Sequence, residues 1–194
     1  MIALINGLTI FLSTLALGYF YGHSVNPRCM QPKVDEKILK KCGDYRLIAG
    51  LFETIILIGY IIFYDVKIPR SVYLFNQTMI PLTLLIILLV LSILLYIKAL
   101  KDAGSETLKP KIDSPMFEGI YKNIRHPQTT ATILFYFAIA IGSNQLFLVL
   151  YTILLSLIYI YITYLEEDDL LIKYGDDYRK YREKTGRFIP KLRK

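Results

Sequence analysis

Arg125, His126 and Pro127 stand just before a run of 38 uncharged residues, 128–165, and Glu166-Glu167-Asp168-Asp169 stand just after it. A guanidinium and an imidazole at one end, and carboxylates at the other, can hold a zwitterion or move a proton. They can act together only if the run between them folds back. As a single helix it would be about 57 Å long, against a hydrocarbon core of roughly 30 Å. Gly142-Ser143-Asn144-Gln145 supplies a turn. Folding back there brings Arg125-His126 and Glu166-Glu167 to the same membrane face.

The rest of the chain must position that pair of clusters. With 54% hydrophobic and 20% charged residues in 194, it is too apolar for a soluble domain of this size. Residues 2–21 and 71–97 carry no acidic or basic side chain, and 47–64 carries only Glu53. Together with the hairpin this predicts five spans, near 2–21, 47–64, 78–97, 127–141 and 146–165. The expected fold is all-α, a polytopic membrane protein forming a single domain over 1–194. Residues 1–97 hold the first three spans and 98–194 the functional half. The fourth span is short, so it is tilted, starts below the surface or sits deep in the protein. Residues 35–41 read as an interfacial helix after a turn at Pro27 and Pro32, and 104–115, with Gly104, Pro110 and Pro115, reads as loop.

The first apolar run lacks a positive leader, so it reads as a span and not as a cleavable signal. Lys and Arg number six in 22–46, two in 65–77, six in 98–126, none in the hairpin turn and nine after 165. Five spans put the six, six and nine on one side. The positive-inside rule then places the N-terminus outside the cell membrane, and the C-terminus and the clusters in the cytoplasm. The net charge of +7 belongs to that face, where it suits anionic lipid headgroups; it indicates membrane lipids and no nucleic acid as partners. Cys29 and Cys42 have no zinc or redox spacing and read as incidental, no metal is expected, and His23 is a lone loop histidine. HExxH, GxSxG and Walker motifs are absent from the sequence.

Pro127 suits the first turn of a helix, where its missing N–H has no partner to lose. Arg125 and His126 then sit at a helix N-terminus, which favours an anion. Four acids just past a cytoplasmic span end are unusual, because Lys and Arg are the usual flank. Glu53, two turns inside a span, must be paired or wet; it reaches the interface, pairs with Arg46, or meets a substrate. Tyr174, Tyr178 and Tyr181 share a helical face if the helix continues through Gly175, as an aromatic belt or as the wall of a pocket.

Residues 118–127, Glu-Gly-Ile-Tyr121-Lys-Asn-Ile-Arg125-His126-Pro127, resemble the G-x-Y-x-x-x-R-H-P stretch of isoprenylcysteine carboxyl methyltransferases. Glu166-Glu167, Tyr174-Gly175-Asp-Asp-Tyr178-Arg-Lys-Tyr181 and Arg187-Phe188-Ile189-Pro190 resemble the closing pattern of the same family. The likeness covers roughly residues 98–194, and the five-span count resembles compact prokaryotic members. Thr129 and Ala131 stand where the family commonly has Tyr and Gly, and Tyr161-Ile-Thr-Tyr164 lacks the arginine of eukaryotic members. The Arg-His-Pro and Glu-Glu elements are shared with phospholipid methyltransferases and, more distantly, sterol reductases.

The resemblance implies S-adenosylmethionine as methyl donor, with S-adenosylhomocysteine as product. Arg125 and His126, beside Pro127, would suit its carboxylate, and Glu166 or Glu167 its ammonium or ribose hydroxyls. Tyr121, Tyr178 and Tyr181 would face its adenine or sulfonium. The implied acceptor is the carboxylate of a prenylated cysteine on a lipidated small molecule or protein, held by Arg187 or Arg125, with Glu53 and Thr129 as further substrate contacts. Such a carboxylate is already nucleophilic, so alignment and exclusion of water would suffice. Catalysis would then rest on Arg187, Arg125 and Glu167. A phospholipid amine is the alternative acceptor and would need a base. Lipid binding or transport without chemistry, and NADPH-dependent reduction, are the further readings.

Overall fold

The computed structural model describes residues 1–30, 33–65, 72–103 and 118–191. Pro32, the predicted 104–115 loop, and Lys67, Arg70, Lys109, Lys111, Arg193 and Lys194 of the orientation count lie outside the described residues. Among the described residues all regular structure is helical, apart from two isolated bridges. The helices are α1 (Ile2–Val25), α2 (Pro27–Met30), α3 (Glu36–Asp65), α4 (Met79–Ala103), α5 (Pro127–Gly142), α6 (Leu146–Tyr174) and α7 (Asp176–Lys184), with a 3-10 turn at Gly119–Lys122. α1, α3, α4 and α6 are long and apolar enough to cross a membrane. α5 has 16 residues and is therefore about 24 Å long. It is the short fourth element, apolar but below spanning length.

The polar stretch before residue 47 does not form a helix of its own. α3 runs unbroken from Glu36 to Asp65. Backbone hydrogen bonding continues across a change from polar to apolar side chains when no proline intervenes, and none does between 36 and 65. α6 likewise continues past the apolar run, so Glu166 to Asp169 lie on its last turns. At Gly175 (φ +53) the chain breaks, and α7 starts anew. Tyr174 is therefore on a different helix from Tyr178 and Tyr181, which corrects the continuous-face expectation.

The core is built by α1, α3, α5 and α6. Ile10, Leu17, Ile56, Tyr60, Phe63, Tyr136, Leu148, Leu155 and Tyr159 form one buried cluster. α1 and α3 approach closely at Gly59, where a Cβ would lie 2.1 Å from Ile10 Cγ2, and Asn6 donates to the Gly59 carbonyl at 2.9 Å. Buried hydroxyls in this core are hydrogen-bonded, as Tyr60 with Thr152 at 3.0 Å and Ser156 to the Thr152 carbonyl at 2.7 Å. That is what an apolar surround requires of a polar atom. α4 covers α5 from outside and leaves most of its own apolar surface facing outward.

The predicted turn is present. α5 ends at Gly142 and α6 begins at Leu146. Asn144 takes φ +58, and its side-chain oxygen accepts the N–H groups of Leu74 (3.1 Å) and Phe75 (2.9 Å). The turn is thus tied to the segment preceding α4. At the other end of the hairpin lie His126 and Glu167.

Candidate active site

The site is assembled by a short 3-10 turn, two helix ends and a C-terminal strap. Gly119 takes φ +57, and the N–H of Ile120 donates to Asp102 Oδ2 at 2.7 Å, docking the 3-10 turn on the end of α4. A Cβ on Gly119 would fall 2.3 Å from that same oxygen, so a side chain there would collide with the dock. Tyr121 is buried; its hydroxyl accepts from Gln128 Nε2 at 3.1 Å and donates to the Ala99 carbonyl at 3.4 Å. The chain then leaves extended through Ile124 and Arg125 and caps α5 with His126, with Pro127 at the first helical position.

Residues 185–188 run alongside this stretch as a strap. The Arg125 N–H donates to the Gly186 carbonyl at 2.8 Å, and the His126 N–H donates to the Arg187 carbonyl at 3.0 Å. The Arg125 guanidinium donates to the carbonyls of Arg182 (3.1 Å) and Thr185. The Tyr181 hydroxyl donates to the Tyr121 carbonyl at 2.6 Å. α7 and the strap are therefore fastened to the N-terminal end of α5.

Glu167 stands at the centre, 1% exposed. Its Oε1 accepts from Arg125 Nε (2.9 Å) and Arg187 Nε (3.1 Å) and lies 3.0 Å from His126 Nε2. Its Oε2 accepts from Arg187 Nη2 at 2.7 Å, with Arg182 Nη1 at 4.0 Å. Glu166 Oε2 lies 3.3 Å from His126 Nδ1. One imidazole thus bridges two carboxylates. Burial alone would lower the His126 pKa, but hydrogen bonds and charge from Glu166 and Glu167 outweigh it and raise the value above the ordinary one. The protonated ring, a donor through both nitrogens, persists to higher pH than a free histidine. Burial also opposes the charge on Arg187, and Glu167 again outweighs it. Arg187 lies over the Tyr164 ring, its guanidinium carbon 3.7 Å from the centroid.

The structure brings together Tyr121, Arg125, His126, Pro127, Glu166, Glu167, Tyr178, Tyr181 and Arg187. Tyr178 is 1% exposed, and its hydroxyl has no hydrogen-bond partner among the described residues. Burial and the nearby carboxylates push its pKa up, so it stays a neutral donor. Thr129 is only partly buried in the first turn of α5 and is not among the residues lining the cavity described below. Glu53 is held by the Tyr159 hydroxyl at 2.8 Å, deeper along the bundle. Of the other two acids, Asp168 is exposed, and Asp169 is bound to Arg28 at 2.6 Å, tying α6 to α2.

Tyr159, Tyr164, Arg182 and Asp102 were not visible as site residues from spacing alone. Tyr159 had a signal: it lies seven and eight residues before Glu166 and Glu167, two turns along the same helical stripe.

A family model described as phospholipid methyltransferase matches residues 77–177, just over half of the chain. The match runs from the start of α4 to the start of α7 and includes Arg125, His126, Glu166 and Glu167. No curated protein matches the chain. That family belongs to the isoprenylcysteine carboxyl methyltransferase-like group, in agreement with the resemblance carried by the two motifs, and it implies S-adenosylmethionine as methyl donor in general. It lends nothing to the transport or reductase readings. With four membrane-length helices and this match over its site-bearing half, the chain belongs to the phospholipid methyltransferase family and is a membrane methyltransferase.

Proposed function

We propose that this protein transfers a methyl group from S-adenosylmethionine to the head of a lipidic acceptor, at the membrane interface where α5, α6 and the strap meet. The observation that carries the reading is the convergence of Arg125, His126 and Arg187 on Glu167, beside a buried Tyr178 hydroxyl without a partner among the described residues.

The residues fit the cofactor by the chemistry of their donors. Arg125, Arg182, Arg187 and protonated His126 bring four positive charges against two on Glu166 and Glu167, an excess of two. That excess suits the cofactor carboxylate. Glu166, about a third exposed at its side chain, is free to meet an ammonium or ribose hydroxyls. The Tyr178 hydroxyl offers a donor, and the Tyr181 ring, anchored through its own hydroxyl, offers an aromatic face. S-adenosylmethionine, when bound, supplies the methyl group on a sulfonium centre. The protein's part is to fix the polar end, align the acceptor and keep water from the reacting atoms.

Two acceptor heads fit the chemistry. A prenylated cysteine offers a carboxylate that needs no base, and Arg187 or Arg125 would hold it. A phospholipid amine must lose a proton first. In this structure both guanidinium groups are bound to Glu167, so a second carboxylate has to compete for them. The site lies at the basic end of the bundle, which we assign to the cytoplasmic face of the cell membrane.

The test is methyl-tritiated cofactor given to the protein in lipid nanodiscs, with farnesylcysteine and an amine phospholipid offered separately. Label released by base as methanol identifies a carboxyl ester; base-stable label in lipid identifies an amine. No transfer to either, with no cofactor binding, sinks the proposal. Tyr178→Phe should weaken S-adenosylmethionine binding roughly tenfold, as expected for one lost hydrogen bond in a buried site. The melting temperature should hold or rise, since the hydroxyl has no partner among the described residues to lose. Unchanged affinity would remove Tyr178 from the site.

A further inference from the structure

A cavity-bearing region lies apart from the Glu167 cluster, deeper along the bundle. A cavity of about 370 Å³ opens between α3, α4 and α5, walled by Leu57, Ile93, Ile97 and Phe135 among others. Ile93 and Ile97 are exposed on α4, a helix of membrane-spanning length, and we read the mouth between them as opening toward the bilayer. Glu53 is the one charged residue among the described residues lining it. Among the described residues, Tyr159 is the donor that seats its carboxylate, through Oε1.

A carboxylate within a span is costly unless it meets a cation or water. One tyrosine hydroxyl satisfies one oxygen and leaves the charge unanswered. Among the described residues no lysine or arginine lines the cavity, so a carboxylate head would meet repulsion there and a cationic head attraction. The cavity also lies close to the chemistry. Tyr159 is eight residues, about 12 Å of helix, from Glu167 on α6.

We infer that this cavity is the subsite for the primary-amine head of a bilayer lipid, with Glu53, seated by Tyr159, as its counter-charge and proton acceptor. The methyl step rests on the function proposed above. The proton leaves the ammonium nitrogen for the Glu53 carboxylate. The freed lone pair forms the new nitrogen–carbon bond as the methyl–sulfonium bond breaks, and sulfur keeps the electron pair. The chain of the lipid lies along the apolar walls and out through the mouth, so the head enters without crossing water.

The test uses the intact protein in phosphatidylcholine nanodiscs doped with phosphatidylethanolamine or with its N-acetylated form, which has no ionisable amine. Without cofactor, phosphatidylethanolamine should raise the melting temperature of the wild type above that seen with the N-acetylated lipid. Glu53→Gln, close in shape, should abolish the difference, and Glu53→Asp should keep part of it. With cofactor, Glu53→Gln should lower kcat/KM for phosphatidylethanolamine at least tenfold and leave the S-adenosylmethionine Kd within twofold. Identical melting of the wild type in both lipids overturns the inference, as does transfer in Glu53→Gln within twofold of wild type. Transfer to farnesylcysteine that ignores Glu53→Gln, with none to phosphatidylethanolamine, overturns it and leaves the methyltransferase reading intact. A Glu53-dependent melting shift with no transfer to any acceptor supports the subsite and sinks the proposed reaction.

Discussion

Glu167→Ala should destroy cofactor binding and destabilise the fold. The carboxylate is buried and answers Arg125, His126 and Arg187 at 2.7–3.1 Å. Removing it leaves those cations facing one another with Glu166 alone. Loss of one partner from a buried ionic group costs about 3–5 kcal/mol, because the other partners stay buried and unanswered. Thermal melting in nanodiscs reads the stability loss, and titration with S-adenosylmethionine reads the affinity. Glu167→Gln separates the two effects, since it keeps the shape and the accepting oxygen but not the charge. It should melt closer to wild type and still bind the cofactor poorly. Cofactor affinity within a few-fold of wild type in either variant would remove Glu167 from the site.

Gly186→Ala should have the second-largest effect, although glycine to alanine is a small change. A Cβ at 186 would fall 1.7 Å from the Ile189 carbonyl oxygen and 2.9 Å from its carbon. Both are backbone atoms, so the turn itself must open. The Gly186 carbonyl also receives the Arg125 N–H, and the next residue is Arg187. Opening the turn therefore shifts both guanidinium groups on Glu167. A displacement near 1 Å in a positioning element costs about 100-fold in rate. Methyl transfer should fall by about that factor, with the helical circular dichroism unchanged, because the strap lies outside every spanning helix. Activity within threefold of wild type would show that the strap does not position the arginines.

Much of this arrangement was legible in the chain. The 38-residue uncharged run could not span once, and its turn residues stand where α5 and α6 are joined. The convergence of Arg125-His126 on Glu166-Glu167 followed from that fold-back alone. Helix ends were less legible, because hydropathy marks where the solvent changes and not where hydrogen bonding stops. α3 begins eleven residues before its apolar stretch, at Glu36 against 47. Tyr174 and Tyr178 were separated by the positive φ of Gly175, a backbone property that spacing cannot reveal. The Glu53–Tyr159 bond depends on the rotation of α3 against α6, and the Arg28–Asp169 pair on where α2 lands. Those are tertiary facts with no local pattern.

The brevity of α5 has one more consequence. It is about 24 Å long, while α4 and α6 on either side have 25 and 29 residues, about 38 and 44 Å. The hydrocarbon core is roughly 30 Å thick. With the Asn144 turn at one surface, the His126 end lies about 6 Å beneath the other, flanked by taller walls. The strap and α7 are fastened to that end, and His126 is buried beneath the headgroup level. On the function proposed above, depth sorts the acceptors: a head tethered to a lipid chain is held near that level by the bilayer itself, whereas a soluble amine or carboxylate is not. On that reading the membrane, through its thickness, becomes part of how the acceptor is chosen.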